Sequence, residues 1–217
     1  MGNALKKLIS ANKPFFWVYF LFLDFGAIIL LIYTKEESFL LVNNYYSSFG
    51  DVFFKLVTHI GDGLLFALII IVLVFYSYRK ALLGLIIFLG SALIAQVLKL
   101  TLFDDVMRPV GHFAKNIDLH FVEGVTRHVK NSFPSGHTTS VFALVLFLVL
   151  AFDLRKSGWL LAIIAILVGY SRVYLAVHFP VDVYFGSIIG VVIALFTYAW
   201  LNEPFKKKFG EKGLLNR

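Results

Sequence analysis

The chain contains no cysteine. That excludes a disulfide framework, thiolate nucleophiles and cysteine-ligated metal sites. Charge is also scarce. Asp, Glu, Lys and Arg make up 15% of the 217 residues, against about a quarter in a soluble domain. What fills the space is apolar: 59% hydrophobic residues, 24 of them phenylalanine, and a mean hydropathy of +0.84. The excess is gathered into runs too long for ordinary core helices, so the composition predicts an all-α, polytopic membrane protein. The net charge is +7, but the basic residues lie mostly in short loops and tails. Membrane topology and anionic headgroups explain that placement better than nucleic acid, which is not an expected partner.

Six runs approach the roughly 17–25 residues of a spanning helix: Phe15–Tyr33, Gly63–Tyr78, Ala81–Leu102, Thr138–Asp153, Trp159–Ala176 and Val181–Leu201. The second and fourth are short, so their helices are expected to extend into flanking residues. The first is read as a retained span. It is too long for the apolar core of a signal peptide, and no small-residue cleavage site follows it. No repeat and no second domain is evident, so residues 1–217 read as one integral-membrane unit whose motif-bearing core is 99–182.

With a cytoplasmic N-terminus, the cytoplasmic side carries Lys6, Lys7, Lys13, Arg79, Lys80, Arg155, Lys156, Lys206, Lys207, Lys208, Lys212 and Arg217, twelve of the twenty Lys and Arg. Lys35, Lys55, Lys99, Arg108, Lys115, Arg127, Lys130 and Arg172 face outward. The bias follows the positive-inside rule. It places both termini in the cytoplasm and two long loops on the outer face of an inner membrane. Thr34–Asp62, with apolar patches among polar residues, is expected to form interfacial helix along the membrane. Val110–Phe133 is polar and is expected to sit over a site and read a headgroup.

Three polar segments interrupt the apolar pattern at that outer face. In Phe133-Pro134-Ser135-Gly136-His137 a helix start is marked by proline, serine and glycine, with Ser135 as N-cap. A helix N-terminus offers free N–H groups to an anion, Gly136 permits close approach, and His137 falls in the first turn. An ordinary capped helix with an interfacial histidine has the same pattern. In Ser171-Arg172-Val-Tyr-Leu-Ala-Val-His178-Phe-Pro180-Val-Asp182, proline suits the first turn of a helix. His178 then sits just outside it and Asp182 within its first turn. This spacing lets Asp182 accept a hydrogen bond from one ring nitrogen and leaves the other as the nucleophile. Arg172 can reach an anion with its planar fork, though snorkelling explains it alone. Lys99 and Arg108-Pro109 add two more cations, and snorkelling again suffices for Lys99.

Together these segments resemble the three signature motifs of the type 2 phosphatidic acid phosphatase superfamily, which shares a core with vanadium haloperoxidases. Pro134-Ser135-Gly136-His137 matches the second. Ser171-Arg172, five residues, His178, three residues and Asp182 match the third in full. The first is usually Lys, six residues, Arg-Pro; here eight residues separate Lys99 from Arg108. The resemblance implies that His178 attacks phosphorus to form a phosphohistidine and that Asp182 supports it. His137 protonates the leaving oxygen and then activates water. Lys99, Arg108, Arg172 and the Ser135–Gly136 region hold the phosphoryl oxygens. It implies no metal and no cofactor, and a bilayer lipid phosphate as substrate: undecaprenyl diphosphate, phosphatidylglycerol phosphate, phosphatidic acid or the lipid A phosphate. Two other readings are a lipid phosphotransferase on the same scaffold and a transporter whose buried charges line a pathway.

Other polar residues are set aside. His112, His120 and His128 recur every eight residues, which matches no usual zinc spacing. Asp24 falls mid-span and is expected to make a helix–helix hydrogen bond. His59 and Asp62 stand where the second span begins and are expected at most to border the pocket. Lys206–Lys208 reads as a topology determinant.

Overall fold

A computed structural model describes residues 2–113 and 118–216. Lys115 and its neighbours in the predicted headgroup-reading loop lie outside the described residues. The helices in chain order are α1 (Gly2–Ala11), α2 (Lys13–Ile32), α3 (Lys35–Asn43), α4 (Ser48–Val57), α5 (Gly63–Tyr76), α6 (Tyr78–Val97), α7 (Pro109–His112), α8 (Gly136–Ala151), α9 (Gly158–Tyr174) and α10 (Pro180–Phe209). A 3₁₀ turn, Thr58–Gly61, joins α4 to α5, and a π-helical turn, Leu98–Leu102, continues α6. Among the described residues there is no strand, as the composition predicts.

An apolar helix lies at each predicted span. Three of them, α2, α6 with its π turn, and α10, are long and apolar enough to cross a membrane alone. The segment from α4 through α5 qualifies only as a pair bent by 47°. α8 and α9 are shorter, at 16 and 17 residues, or about 24–26 Å at roughly 1.5 Å per residue. The expected lengthening of the fourth span therefore does not occur: α8 starts and stops two residues before the predicted Thr138–Asp153. It is the central helix, with α6, α9 and α10 packed around it and twelve of its residues buried. A helix sheathed by protein need not match the lipid. For the second span, the flanking helix is present but bent away at Gly61–Asp62.

The α8–α10 contact depends on Gly186 and Gly190, one helical turn apart on α10. A Cβ on Gly186 would lie 2.8 Å from the Ser135 carbonyl oxygen, and one on Gly190 would strike the carbonyl oxygen of Thr139. Small residues at this spacing let two backbones approach where no hydrophobic drive operates between helices. Gly190→Val is therefore expected to cost about 1–3 kcal/mol through overpacking against rigid backbone. Gly90→Ala, whose Cβ would meet only Ile193 at 3.6 Å, should cost nothing. Melting temperatures in detergent compare the two.

Asp24 departs from expectation. It is exposed, makes no hydrogen bond to another helix among the described residues, and shares a groove beside α1 with Lys6, Lys13, Trp17, Phe20 and Leu21. Residues 17, 20, 21 and 24 form one face of α2, opposite the buried Phe15 and Tyr19. Hydropathy gives the depth of a residue in a span but not the direction in which it points.

The segment Thr34–Asp62 contains the expected short helices, α3 and α4. α4 exposes Phe49, Val52 and Leu56 on one face, a pattern suited to lying at an interface. At the opposite end of the bundle Lys7, Arg79, Arg155 and Lys206 line one crevice. There the buried Arg79 donates to Asn202 Oδ1 at 2.5 Å and pairs with Glu211.

Candidate active site

The end of the bundle away from that crevice gathers the C-terminal ends of α6 and α9 and the N-terminal ends of α8 and α10. After α9 the chain turns tightly, with Val177 and His178 both donating their N–H groups to the Arg172 carbonyl at 3.0 Å. Pro180 then opens α10 and puts Asp182 in its first turn. His178 Nδ1 lies 3.2 Å from Asp182 Oδ2, which also accepts from the Phe179 N–H at 3.0 Å and from the Ser132 hydroxyl. Both partners are buried. With Nδ1 donating to the carboxylate, Nε2 is the nitrogen left for chemistry.

Burial pushes the His178 imidazole down from 6.5 to about 3; Asp182 opposes the shift, and Arg108 and Lys99 reinforce it. The neutral form thus persists well below the usual histidine range. The stability tied to this group is complete above pH 6.5 and is lost as pH falls towards the folded value. We expect the ¹⁵N imidazole signals of His178 to show a neutral ring throughout pH 8 to 5; titration near 6.5 would contradict its burial.

His178 lines a cavity of about 410 Å³ with Lys99, Arg108, Gly136, His137 and Arg172. His137 occupies the first turn of α8, where Ser135 caps the helix, accepting from the Thr138 N–H at 3.4 Å and its hydroxyl at 2.9 Å. The Ser135 oxygen thus accepts both cap bonds, and Gly136 rather than Ser135 lines the cavity. A Cβ on Gly136 would meet nothing within 4 Å, so the helix N-terminus stands open to the cavity. Arg172 is buried; Nη1 donates to Thr58 Oγ1 at 2.5 Å, and Nε is buried without a partner among the described residues. Arg108 is anchored on three carbonyl oxygens, those of Lys130 at 3.1 Å, Asn131 at 3.3 Å and Val177 at 3.5 Å. Lys99 lies in the π turn, and Phe103 N closes that turn on the Leu98 carbonyl at 3.0 Å. Three cations and a helix N-terminus thus line one space, the arrangement an oxyanion requires.

Three participants carried little or no weight in the sequence. Asp62 Oδ1 lies 2.7 Å from His137 Nε2, and its Oδ2 lies 2.8 Å from His59 Nδ1. Thr58 receives Arg172, and Ser132 supports Asp182. His59-x-x-Asp62 before an apolar run was a visible signal, but Thr58 and Ser132 had none. The other histidines go to separate places: His112 to Glu36 at 2.6 Å, His120 to Asp51 at 2.8 Å under a stacked Tyr46, and His128 to the cavity wall.

Residues 79–206, more than half of the chain, match the PAP2 superfamily. The chain belongs to that superfamily. Among PAP2 relatives, the undecaprenyl-diphosphatase BcrC of Bacillus subtilis is 37% identical over 89 residues, 40% of this chain and 45% of that protein. The chain spans less than half the length of the first curated relatives it matches. The crystal structure of LpxE from Aquifex aeolicus superimposes with a TM-score of 0.63 at 26% identity, covering 75% of this chain and 93% of that one. A transmembrane PAP2 type phosphatidylglycerolphosphate phosphatase from Bacillus subtilis gives 0.58 at 25% identity, covering 91% and 97%. The PAP2 region contains all eight predicted site residues. Within it the first motif is two residues longer than the PAP2 pattern expected from sequence. Between Lys99 and Arg108 lie the end of the π turn and the Phe103–Met107 connection, and Lys99 lines the cavity with Arg108.

Proposed function

We propose that this PAP2 protein is a metal-independent phosphatase acting on a phosphate or diphosphate monoester of a membrane lipid. The observation that carries this reading is the convergence, in one cavity, of His178 backed by Asp182, His137 and the cations Lys99, Arg108 and Arg172. His178 Nε2 attacks phosphorus while the bond to the leaving oxygen breaks, and His137 supplies the proton that oxygen needs. Lys99, Arg108, Arg172 and the N–H groups around Gly136 hold the three phosphoryl oxygens as charge builds. Water then attacks the phosphohistidine and gives its proton to His137. The P–N bond breaks and inorganic phosphate leaves. A diphosphate substrate releases a lipid monophosphate instead of an alcohol.

The relatives' named substrates, undecaprenyl diphosphate, lipid A phosphate and phosphatidylglycerophosphate, support a substrate drawn from that set or from phosphatidic acid. The apolar helices and the positive-inside bias support six crossings of an inner membrane as a single unit. Both termini then lie in the cytoplasm, and the site faces outward.

Phosphate release from a panel of these lipids in detergent tests the reading. One or more should be hydrolysed without any acceptor lipid. EDTA should leave the rate unchanged, and vanadate should inhibit. Release that requires an acceptor lipid would instead identify a phosphotransferase, and a strict metal requirement would overturn the mechanism.

A further inference from the structure

We infer that Asp62 is the positioning residue of His137, forming a second His–Asp pair that mirrors His178–Asp182 from a different part of the chain. The inference rests on the proposed role of His137 as the acid of the first step.

Asp62 stands at the bend between the 3₁₀ turn and α5, in extended backbone with φ −65° and ψ 132°. A residue at that place usually caps the helix with its side chain, but the Asp62 carboxylate makes no capping hydrogen bond. Both its oxygens go to imidazoles: Oδ1 to His137 Nε2 at 2.7 Å and Oδ2 to His59 Nδ1 at 2.8 Å. The neighbouring Gly61 lets the bend press against α8. A Cβ there would lie 3.1 Å from the His137 carbonyl oxygen and 3.2 Å from its Cβ. The carboxylate is thus held at His137 by backbone packing and by His59.

The chemistry follows from which nitrogen is occupied. A carboxylate on Nε2 keeps a proton there in both charge states of the ring, so Nδ1 is the nitrogen that gives the proton to the leaving oxygen and takes one from water. In the nucleophile the occupied nitrogen is Nδ1 and the reactive one Nε2. The two pairs are complementary, and each fixes one tautomer. Side-chain exposure rises from His137 (33%) and Asp62 (37%) to His59 (68%). The row of close contacts therefore runs from the cavity to its rim, where a proton can be exchanged with solvent.

The test compares leaving groups. Asp62→Asn keeps the shape and removes the charge. Its pre-steady-state release of an alkoxide lipid should fall about 10–100-fold, a share of the usual worth of general acid catalysis, with KM within about threefold of wild type. A lipid-linked nitrophenyl phosphate, whose leaving group needs no proton, should lose less than about threefold. Asp62→Glu should recover part of the loss, and Asp62→Asn placed on His137→Ala should add nothing, as for residues that act as a unit. Melting temperature in detergent confirms that each variant folds. Equal loss with both leaving groups, or loss that adds to that of His137→Ala, would reduce Asp62 to a structural residue; wild-type rates in Asp62→Asn would remove it altogether. Wild-type turnover in His137→Ala is the separate outcome that overturns the acid assignment, and the positioning role with it.

Discussion

His178→Ala is expected to lower turnover by at least about 10⁴-fold, the scale seen when an enzyme loses its nucleophile. The ring is buried, its Nδ1 is tied to Asp182 and its Nε2 is left for the cavity. The other imidazole facing this cavity from a helix turn, His137, has its Nε2 committed to Asp62 and stands on the leaving-group side of the proposed reaction. The direct measurement is labelling. Quenching wild-type enzyme with ³²P-substrate in acid-free buffer should trap a phosphoprotein that is stable to alkali and labile to acid. His178→Ala should trap none while keeping its melting temperature. A variant that still labels at another residue, or that turns over normally, would refute the assignment.

His137→Ala should differ in kind. Loss of the acid is expected to slow alkoxide release by about 10²–10⁴-fold, and loss of the base should slow breakdown of the intermediate. On an activated aryl phosphate the first step no longer needs a proton, but the second still does. The variant should therefore give a burst of aryl alcohol equal to one enzyme equivalent and then stall with His178 phosphorylated. Accumulation in His137→Ala and none in His178→Ala is a pattern that general damage to the pocket does not produce. No burst from a folded His137→Ala would mean that His137 does not serve the second step.

How much of this could be read from the sequence depended on how local each contact is. His178 and Asp182 are four residues apart with Pro180 between them, so one helix start dictates their meeting. The same logic placed Gly136 and His137 at an open N-terminus. For Ser135 the same reasoning gave the cap, which the structure contains. Asp62 lies 75 positions before His137, and no spacing rule relates them; only the bend after α4 brings them together. Thr58 and Ser132 support Arg172 and Asp182 from equally remote segments. For Lys99 the spacing to Arg108 gave no helix register, because a π turn, which has no signal in the sequence, sets the direction of its side chain. Asp24 failed for want of a direction, not a depth.

The shortness of α8 has a consequence for where the reaction takes place. Lipid contacts α2, α6 and α10, whose exposed Leu, Ile and Phe must match the hydrocarbon thickness, and hydrophobic mismatch acts on them by tilting. α8 is sheathed by α6, α9 and α10 and is not subject to that adjustment. Its sixteen residues act as a strut of constant length between the basic crevice at one end and His137 at the other. In thick or thin bilayers alike, the outer helices adjust while the floor of the cavity stays at the same height above the foot of the bundle.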